Sequence, residues 1–435
     1  MASGVSPVFQ RALAERPFPS HSRSAHYNEP MNDLMHDATT GGPEFDFDTA
    51  VDRRGTASFK WDRYGSRDVI PLWVADMDFR SPPAVVAALQ ERAAHGVFGY
   101  THASDELEAT VRAMLARDYR WEVPVSWLVW LPGLVSGLNV VCRAVGAAGD
   151  EVATFVPIYP PFLSAPGFAQ RSVARVPLVL SPAGGGTASG AAASSRWEMD
   201  LDLLEHALTP RTRLLLLCSP HNPTGRVWSR DELESLAQVA CRRELVIGSD
   251  EVHAGLVLDQ DKRHVPIATL GADIAARTIT LMAPSKTFNI PGLGCSFAVI
   301  SDPSLRRDFC RAAEGIVPHV NLFGYVATQA AYESGGPWLE ALLAYLRGNR
   351  DLVEREIGAL PGLSVTHVEA TYLAWIDARD SGLPDPAKDF ERAGVGLSDG
   401  AEFGAPGFVR LNFGCSRSLL AEGLARMRAA LQTCG

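Results

Sequence analysis

The amino-acid sequence predicts an α/β protein, with a mostly parallel sheet covered by helices and a smaller α+β domain. Three observations predict it. Short apolar runs alternate with stretches of helical spacing through the middle of the chain. Polar motifs stand just past three of those runs, where open α/β sheets bind ligands. Toward the C-terminus the pattern changes to long helices around short strands. The 435 residues suit two cores better than one.

Residues 1–44 are rich in Ser, Pro, His, Arg and Asn and lack a period, which predicts a mobile arm. Residues 45–90 are expected to join the small domain, and 91–336 to form the large one. Within the latter, Ser181 to Arg196 (SPAGGGTASGAAASSR) is dominated by Gly, Ala and Ser and predicts a flexible surface insertion. Leu214–Cys218 (LLLLC) reads as a buried strand, as do Leu245–Gly248, Thr278–Met282 and Phe297–Ile300. Between the first two, Ser229 and Glu232 form a Ser-x-x-Glu capping signature, so a helix is expected over Ser229–Arg243. Strand, helix, strand in that order implies parallel pairing. A long helix from Pro337 to Leu360, strands near Leu363–Val368 and Tyr372–Ile376, and a last helix over Ser418–Gln432 make residues 337–435 the small domain.

Composition narrows the function. Hydrophobic residues are 46% and charged residues 21%, an ordinary globular balance. The net charge of -10 argues against a nucleic-acid or acidic-membrane partner. Seven scattered cysteines without metal or CxxC spacing predict reduced thiols in a cytoplasmic protein, and no metal site is expected. No basic patch precedes an apolar run at the start, so no signal peptide is expected. The longest apolar stretch, Trp127 to Cys142, is broken by Pro132, Gly133, Ser136 and Gly137, and no membrane span is expected.

The three motifs past the strands carry the chemistry. Asn222 lies in SPHNPTG, Asp250 in GSDEVH and Lys286 in APSKTFN. Loops after successive strands converge, so these residues can share one pocket. A lysine there can form a Schiff base with the aldehyde of pyridoxal 5'-phosphate (PLP). Asp250 can keep the pyridine nitrogen protonated, which makes the ring an electron sink. Asn222 can donate to the ring's phenolic oxygen, and Tyr159 of VPIYPPF can stack on the ring. Gly133, Leu134 and Val135 precede a helical stretch whose free N–H groups suit a phosphate, and Ser285 can add a hydroxyl. Arg410 of GFVRLNF can clamp a substrate carboxylate.

With these residues in place, the chain resembles fold-type I PLP enzymes of the class I/II aminotransferase group. It most resembles their cystathionine β-lyase (carbon–sulfur lyase) branch, the MalY/PatB branch. The matching segments are WDRY (61–64), LWVADMDF (72–79), GVFGYT (96–101), 132–139, 157–162, HNPTG (221–225), DEVH (250–253), SKTFNI (285–290) and FVRLN (408–412). The resemblance implies a seven-stranded sheet sandwiched by helices and a homodimer with sites at the subunit interface. It implies Lys286 as the Schiff-base lysine, Asp250 as its pyridine partner and His253 as a cofactor neighbour. It also implies that Tyr64 reaches the neighbouring subunit's cofactor. Gly294 stands where aminotransferases often carry a phosphate-binding arginine, and Gly255 where the lyases often carry aspartate.

The implied activity is α,β-elimination from cystathionine or another cysteine S-conjugate, giving thiol, pyruvate and ammonia. Two alternatives share its first half: an aminotransferase, and a decarboxylating or oxidatively deaminating S-conjugate enzyme. A PLP-binding transcription regulator would need a winged-helix domain that the 44-residue arm is too short to form.

Overall fold

The computed structural model describes residues 45–182 and 195–432. Its main sheet has seven strands: β1 (Leu128–Leu131), β2 (Glu151–Val156), β3 (Ser172–Pro177), β4 (Thr212–Cys218), β5 (Val246–Asp250), β6 (Thr278–Met282) and β7 (Ser296–Val299). They lie in the order β1-β7-β6-β5-β4-β2-β3. Strands β3, β2, β4, β5 and β6 pair in parallel, and β7 runs antiparallel to both of its neighbours.

The side-chain period of a strand explains the two covered faces. In β4, Leu214 and Leu216 enter one apolar cluster with Leu138 and Val141 of helix α1 (Leu134–Ala144). Leu215 and Leu217 enter another with Leu233 and Leu236 of helix α2 (Arg230–Arg242). A strand buried on both faces reads as a continuous apolar run, and each buried leucine contributes about 2 kcal/mol. Helix α2 begins where the sequence predicts. The Ser229 hydroxyl accepts from the Glu232 amide at 3.2 Å, and the Glu232 carboxylate accepts from the Ser229 amide at 2.7 Å.

A second, antiparallel sheet comprises β8 (Ser364–Val365), β9 (Leu373–Asp377), β10 (Ser398–Asp399) and β11 (Phe408–Asn412), ordered β8-β9-β11-β10. Helices α3 (Gly336–Gly358) and α4 (Arg417–Gln432) pack on it through Leu342, Leu346, Leu420 and Met427. The early segment joins this layer. Phe47 and Phe79 meet edge to face at 5.1 Å, and Phe79 meets Tyr345 of α3 at 5.6 Å. Ile70–Pro71 pairs in parallel with Val395–Gly396.

Two details depart from the sequence reading. The strand expected over Leu363–Val368 stops at Val365, because the chain turns away to bridge Ala370 to Val257 and to bury Glu369 against Arg226 and Lys262. The expected insertion has ordered ends, since Val179–Pro182 pairs with Ser195–Glu198. Residues 183–194, like the arm expected at 1–44, lie outside the described residues.

Candidate active site

A cavity of about 290 Å³ opens beyond the carboxyl ends of β4, β5 and β6. Asp250 closes β5, and Lys286 follows β6 by one turn. The Lys286 Nζ donates to the Ala75 carbonyl at 2.6 Å. Burial pulls its ammonium down to about 8, against the pull of Asp76 and Asp250 in the other direction, with Arg410 adding to the lowering. Burial pushes the Asp250 carboxyl up to about 6, opposed by the Val252 amide and the Lys286 charge. Burial thus moves both groups toward neutrality, as is common for groups in active sites.

Arg410, on β11, is buried and donates to Asn222 Oδ1 at 3.0 Å, the Trp73 carbonyl at 2.8 Å and the Ser398 hydroxyl at 3.2 Å. Its Nε has no hydrogen-bond partner among the described residues. Because Arg410 occupies Asn222 Oδ1, the Asn222 amide faces the cavity with donors to give. Burial raises the Tyr159 hydroxyl, and Tyr159 lines the same space. His253 is drawn down to about 3 by burial and by the Lys286 and Arg410 charges, so it is neutral. Its ring meets Tyr372 edge-on at 6.2 Å.

Gly133, Leu134 and Val135 line the same cavity with Ser285. The first bond of α1 is donated by the Gly137 amide to the Gly133 carbonyl, 3.1 Å. The amides before it have no intrahelical partner, which makes this end an anion cradle. The cavity therefore offers unpaired amides, a buried carboxyl and an amine. That donor set fits a phosphate, a basic ring nitrogen and an aldehyde, which are the three functional ends of PLP.

Val74 and Ala75 complete the lining, and the segment 72–79 that carries them belongs to neither sheet. The Leu72 carbonyl accepts from the Asn412 backbone amide at 2.9 Å, and most of the carbonyls after it are bound by side chains. Asn412 Nδ2 donates to Val74 and Asp76 at 2.6 and 2.7 Å. Asn289 Nδ2 donates to Met77 and Phe79 at 3.0 and 2.8 Å. The Tyr372 hydroxyl donates to Ala75 at 3.0 Å and the Ser398 hydroxyl to Trp73 at 2.7 Å. Asp78 is buried and takes Lys60 and Arg53, both at 2.7 Å, and the Trp61 indole at 2.9 Å.

A family model for aminotransferase class I and II matches residues 67–427. The chain belongs to that family. Cystathionine beta-lyase PatB of Bacillus subtilis (strain 168) is 36% identical over 397 residues, covering 88% of this chain and 99% of that protein. The crystal structure of OvoB superposes with a TM-score of 0.85 at 46% identity, over 89% of this chain and all (100%) of that one. Cystalysin from Treponema denticola, whose structure contains a pyridoxal 5'-phosphate cofactor, gives 0.83 at 30% identity, over 90% of this chain and 100% of that one.

Within this family two departures of the chain have local causes. Gly294 lies in the left-handed region, at a φ of 58°, with the Pro132 carbonyl 3.1 Å from where a Cβ would sit. An arginine there would be strained. At Gly255 a Cβ would sit 2.8 Å from Thr287, which packs into the space an aspartate would need.

Ten of the eleven residues singled out from the sequence line one cavity. Tyr64 does not. It ends a short turn over Asp62–Tyr64 and is buried within its own chain, its hydroxyl against Gly396 and without a hydrogen-bond partner. It borders a separate cavity with Trp61, Val69 and Arg426. Burial lifts its hydroxyl to about 12. Within its own chain Tyr64 therefore stands apart from the cavity that the other ten line. Conversely, sequence reasoning missed Asp76, Tyr372 and Ser398. The signal for Asp76 was present, since two aspartates interrupting an apolar run require partners.

Proposed function

We propose that the chain is a PLP-dependent carbon–sulfur β-lyase, cleaving cystathionine or another cysteine S-conjugate to thiol, pyruvate and ammonia. The convergence of Lys286, Asp250, Asn222 and Arg410 on a cavity that starts at the amides of α1 carries this reading. When bound, PLP supplies an aldehyde for the substrate amine and a ring that takes up the electrons released at Cα.

The chain's own residues do the rest. The amides of Leu134 and Val135, with Ser285, hold the phosphate. Asp250 keeps a proton on the ring nitrogen, Asn222 donates to the ring oxygen, and Tyr159 and His253 enclose the ring. Lys286 would hold the aldehyde and would accept the Cα proton at Nζ, which burial brings to about 8. The Cβ–S pair of electrons leaves with the thiolate. Arg410 receives the substrate carboxylate and so fixes which Cα bond faces Lys286. Residues 91–336 form the large domain in this reading, and 45–90 with 337–435 the small one.

The test is incubation of purified protein with L-cystathionine, without a keto acid, and detection of pyruvate and thiol. Both products are expected. Amino transfer that depends on added keto acid, with no pyruvate, would establish the aminotransferase reading instead. We also propose a cytoplasmic homodimer. Six described cysteines are unpaired thiols, and Val97, Phe98 and Tyr100 expose apolar surface that a second copy can cover.

A further inference from the structure

The carbonyls of Trp73 and Ala75 each accept two hydrogen bonds, and in each case the two donors are of different kinds. The Ala75 carbonyl takes the Lys286 Nζ at 2.6 Å and the Tyr372 hydroxyl at 3.0 Å. The Trp73 carbonyl takes the Arg410 Nη2 at 2.8 Å and the Ser398 hydroxyl at 2.7 Å. One donor of each pair is a cation that lines the cavity, and the other is a buried neutral hydroxyl that does not. Both cations have a second partner in the proposed reaction. As Nζ bonds an aldehyde carbon, the oxygen leaves as water with two of the three ammonium protons, and at most one N–H remains on Nζ. Arg410 is committed in a similar way. A carboxylate fork engages neighbouring guanidinium nitrogens, Nη1 with Nη2 or Nε with Nη2. The Nη2 protons are already given to the Trp73 carbonyl and the Ser398 oxygen, so a fork has to draw on one of them.

A buried carbonyl left without a donor opposes both events. Tyr372 and Ser398 remove that cost, because each already donates to its carbonyl. The Ser398 oxygen also accepts from Nη2 at 3.2 Å. Serine, guanidinium and carbonyl thus form a triangle in which the Arg410 bond to Trp73 can lapse without stranding either end. We infer that Tyr372 and Ser398 are positioning residues, holding the Ala75 and Trp73 carbonyls while Lys286 and Arg410 turn to the cofactor aldehyde and the substrate carboxylate. The two act separately: Tyr372 serves cofactor uptake, and Ser398 serves carboxylate binding. Segment 72–79 keeps its place as the cations turn. The inference rests on the roles of Lys286 and Arg410 in the lyase reading, and it adds the groups that release them.

The test uses the full-length Tyr372→Phe and Ser398→Ala proteins and two titrations. In the first, PLP uptake by each apoprotein is followed by absorbance. The affinity of Tyr372→Phe should be about five- to thirtyfold below wild type, and that of Ser398→Ala within about twofold of it. In the second, propionate, a carboxylate without an amine, is titrated calorimetrically into the PLP-loaded proteins. Here Ser398→Ala should bind about five- to thirtyfold more weakly, and Tyr372→Phe within about twofold of wild type. A merely structural role would lower the urea midpoint of the apoproteins and leave both affinities alone, or lower both together. Either pattern overturns the inference, as does a Tyr372→Phe apoprotein that does not fold. The underlying roles fail differently. Borohydride that fixes no PLP on wild-type Lys286, or propionate binding that survives Arg410→Gln, would overturn those roles and the inference with them. A wild-type protein that passes both checks and releases no pyruvate from L-cystathionine is not a lyase, and the titrations still decide the inference.

Discussion

The two walls of the cavity are built by different physics. One wall is the strand-end wall, where Asn222, Asp250 and Lys286 follow β4, β5 and β6. Its backbone is fixed by ladder hydrogen bonds and by leucines buried on both faces of the sheet. The other wall is Val74 and Ala75, carried by the segment 72–79, which is fixed by donated bonds from Asn412, Asn289, Tyr372, Ser398 and Arg410, and by the charge cluster at Asp78. The difference is instructive. The first wall holds its functional groups out from a scaffold that is stable without them. The second wall is held by polar groups, some of which also line the site, so its structure and its chemistry are coupled.

The sharpest way to separate the walls is to remove one group from each. Lys286→Ala takes the amine from the first wall without disturbing a ladder. It should cost about 10²–10⁴-fold in pyruvate release, with the unfolding midpoint nearly kept. A large loss of stability would show that the Lys286 bond to Ala75 holds the fold, contrary to the comparison. Lys60→Met does the reverse. Lys60 is fully buried against Asp78, and its removal leaves Asp78 to Arg53 and the Trp61 indole, at a cost of about 1–3 kcal/mol. Urea denaturation measures this, and a cost near zero would mean the second wall is held by its neutral bonds alone.

The third way is milder and uses pH. Loading of PLP onto the apoprotein needs a neutral Lys286 amine, whose value lies at about 8. The loading rate, followed by absorbance, should fall about tenfold for each unit of pH below that value. A rate flat between pH 6 and 8 would contradict it. The stability sign follows from the same shift. The ordinary lysine value is 10.5, so between about 8 and 10.5 the unfolded chain binds more protons than the folded one, and the apoprotein gains stability as pH rises through that window.

Legibility in the sequence follows the same division. Lys286, Asp250 and Asn222 were readable because a buried parallel strand is a local signal and its carboxyl end is a fixed place for ligands. The capping box of α2 was readable for a similar reason, being four consecutive residues. The place of Tyr64 within its own chain was not legible, because it depends on Gly396, more than three hundred positions away, which leaves room for its ring. Asp76 and Ser398 were overlooked because neither follows a strand end. Each enters the site by pinning, or being pinned by, a segment with no periodicity.

The sequence by itself determined the alternation of strands and helices, and with it the place where chemistry can occur, because burial on a pleated strand or a helix face imposes a period that a single chain displays. Only the tertiary structure decided what encloses that place. Side-chain bonds such as Asn412 to Val74 join residues hundreds of positions apart. Their geometry arises when two layers pack, and no local pattern encodes it.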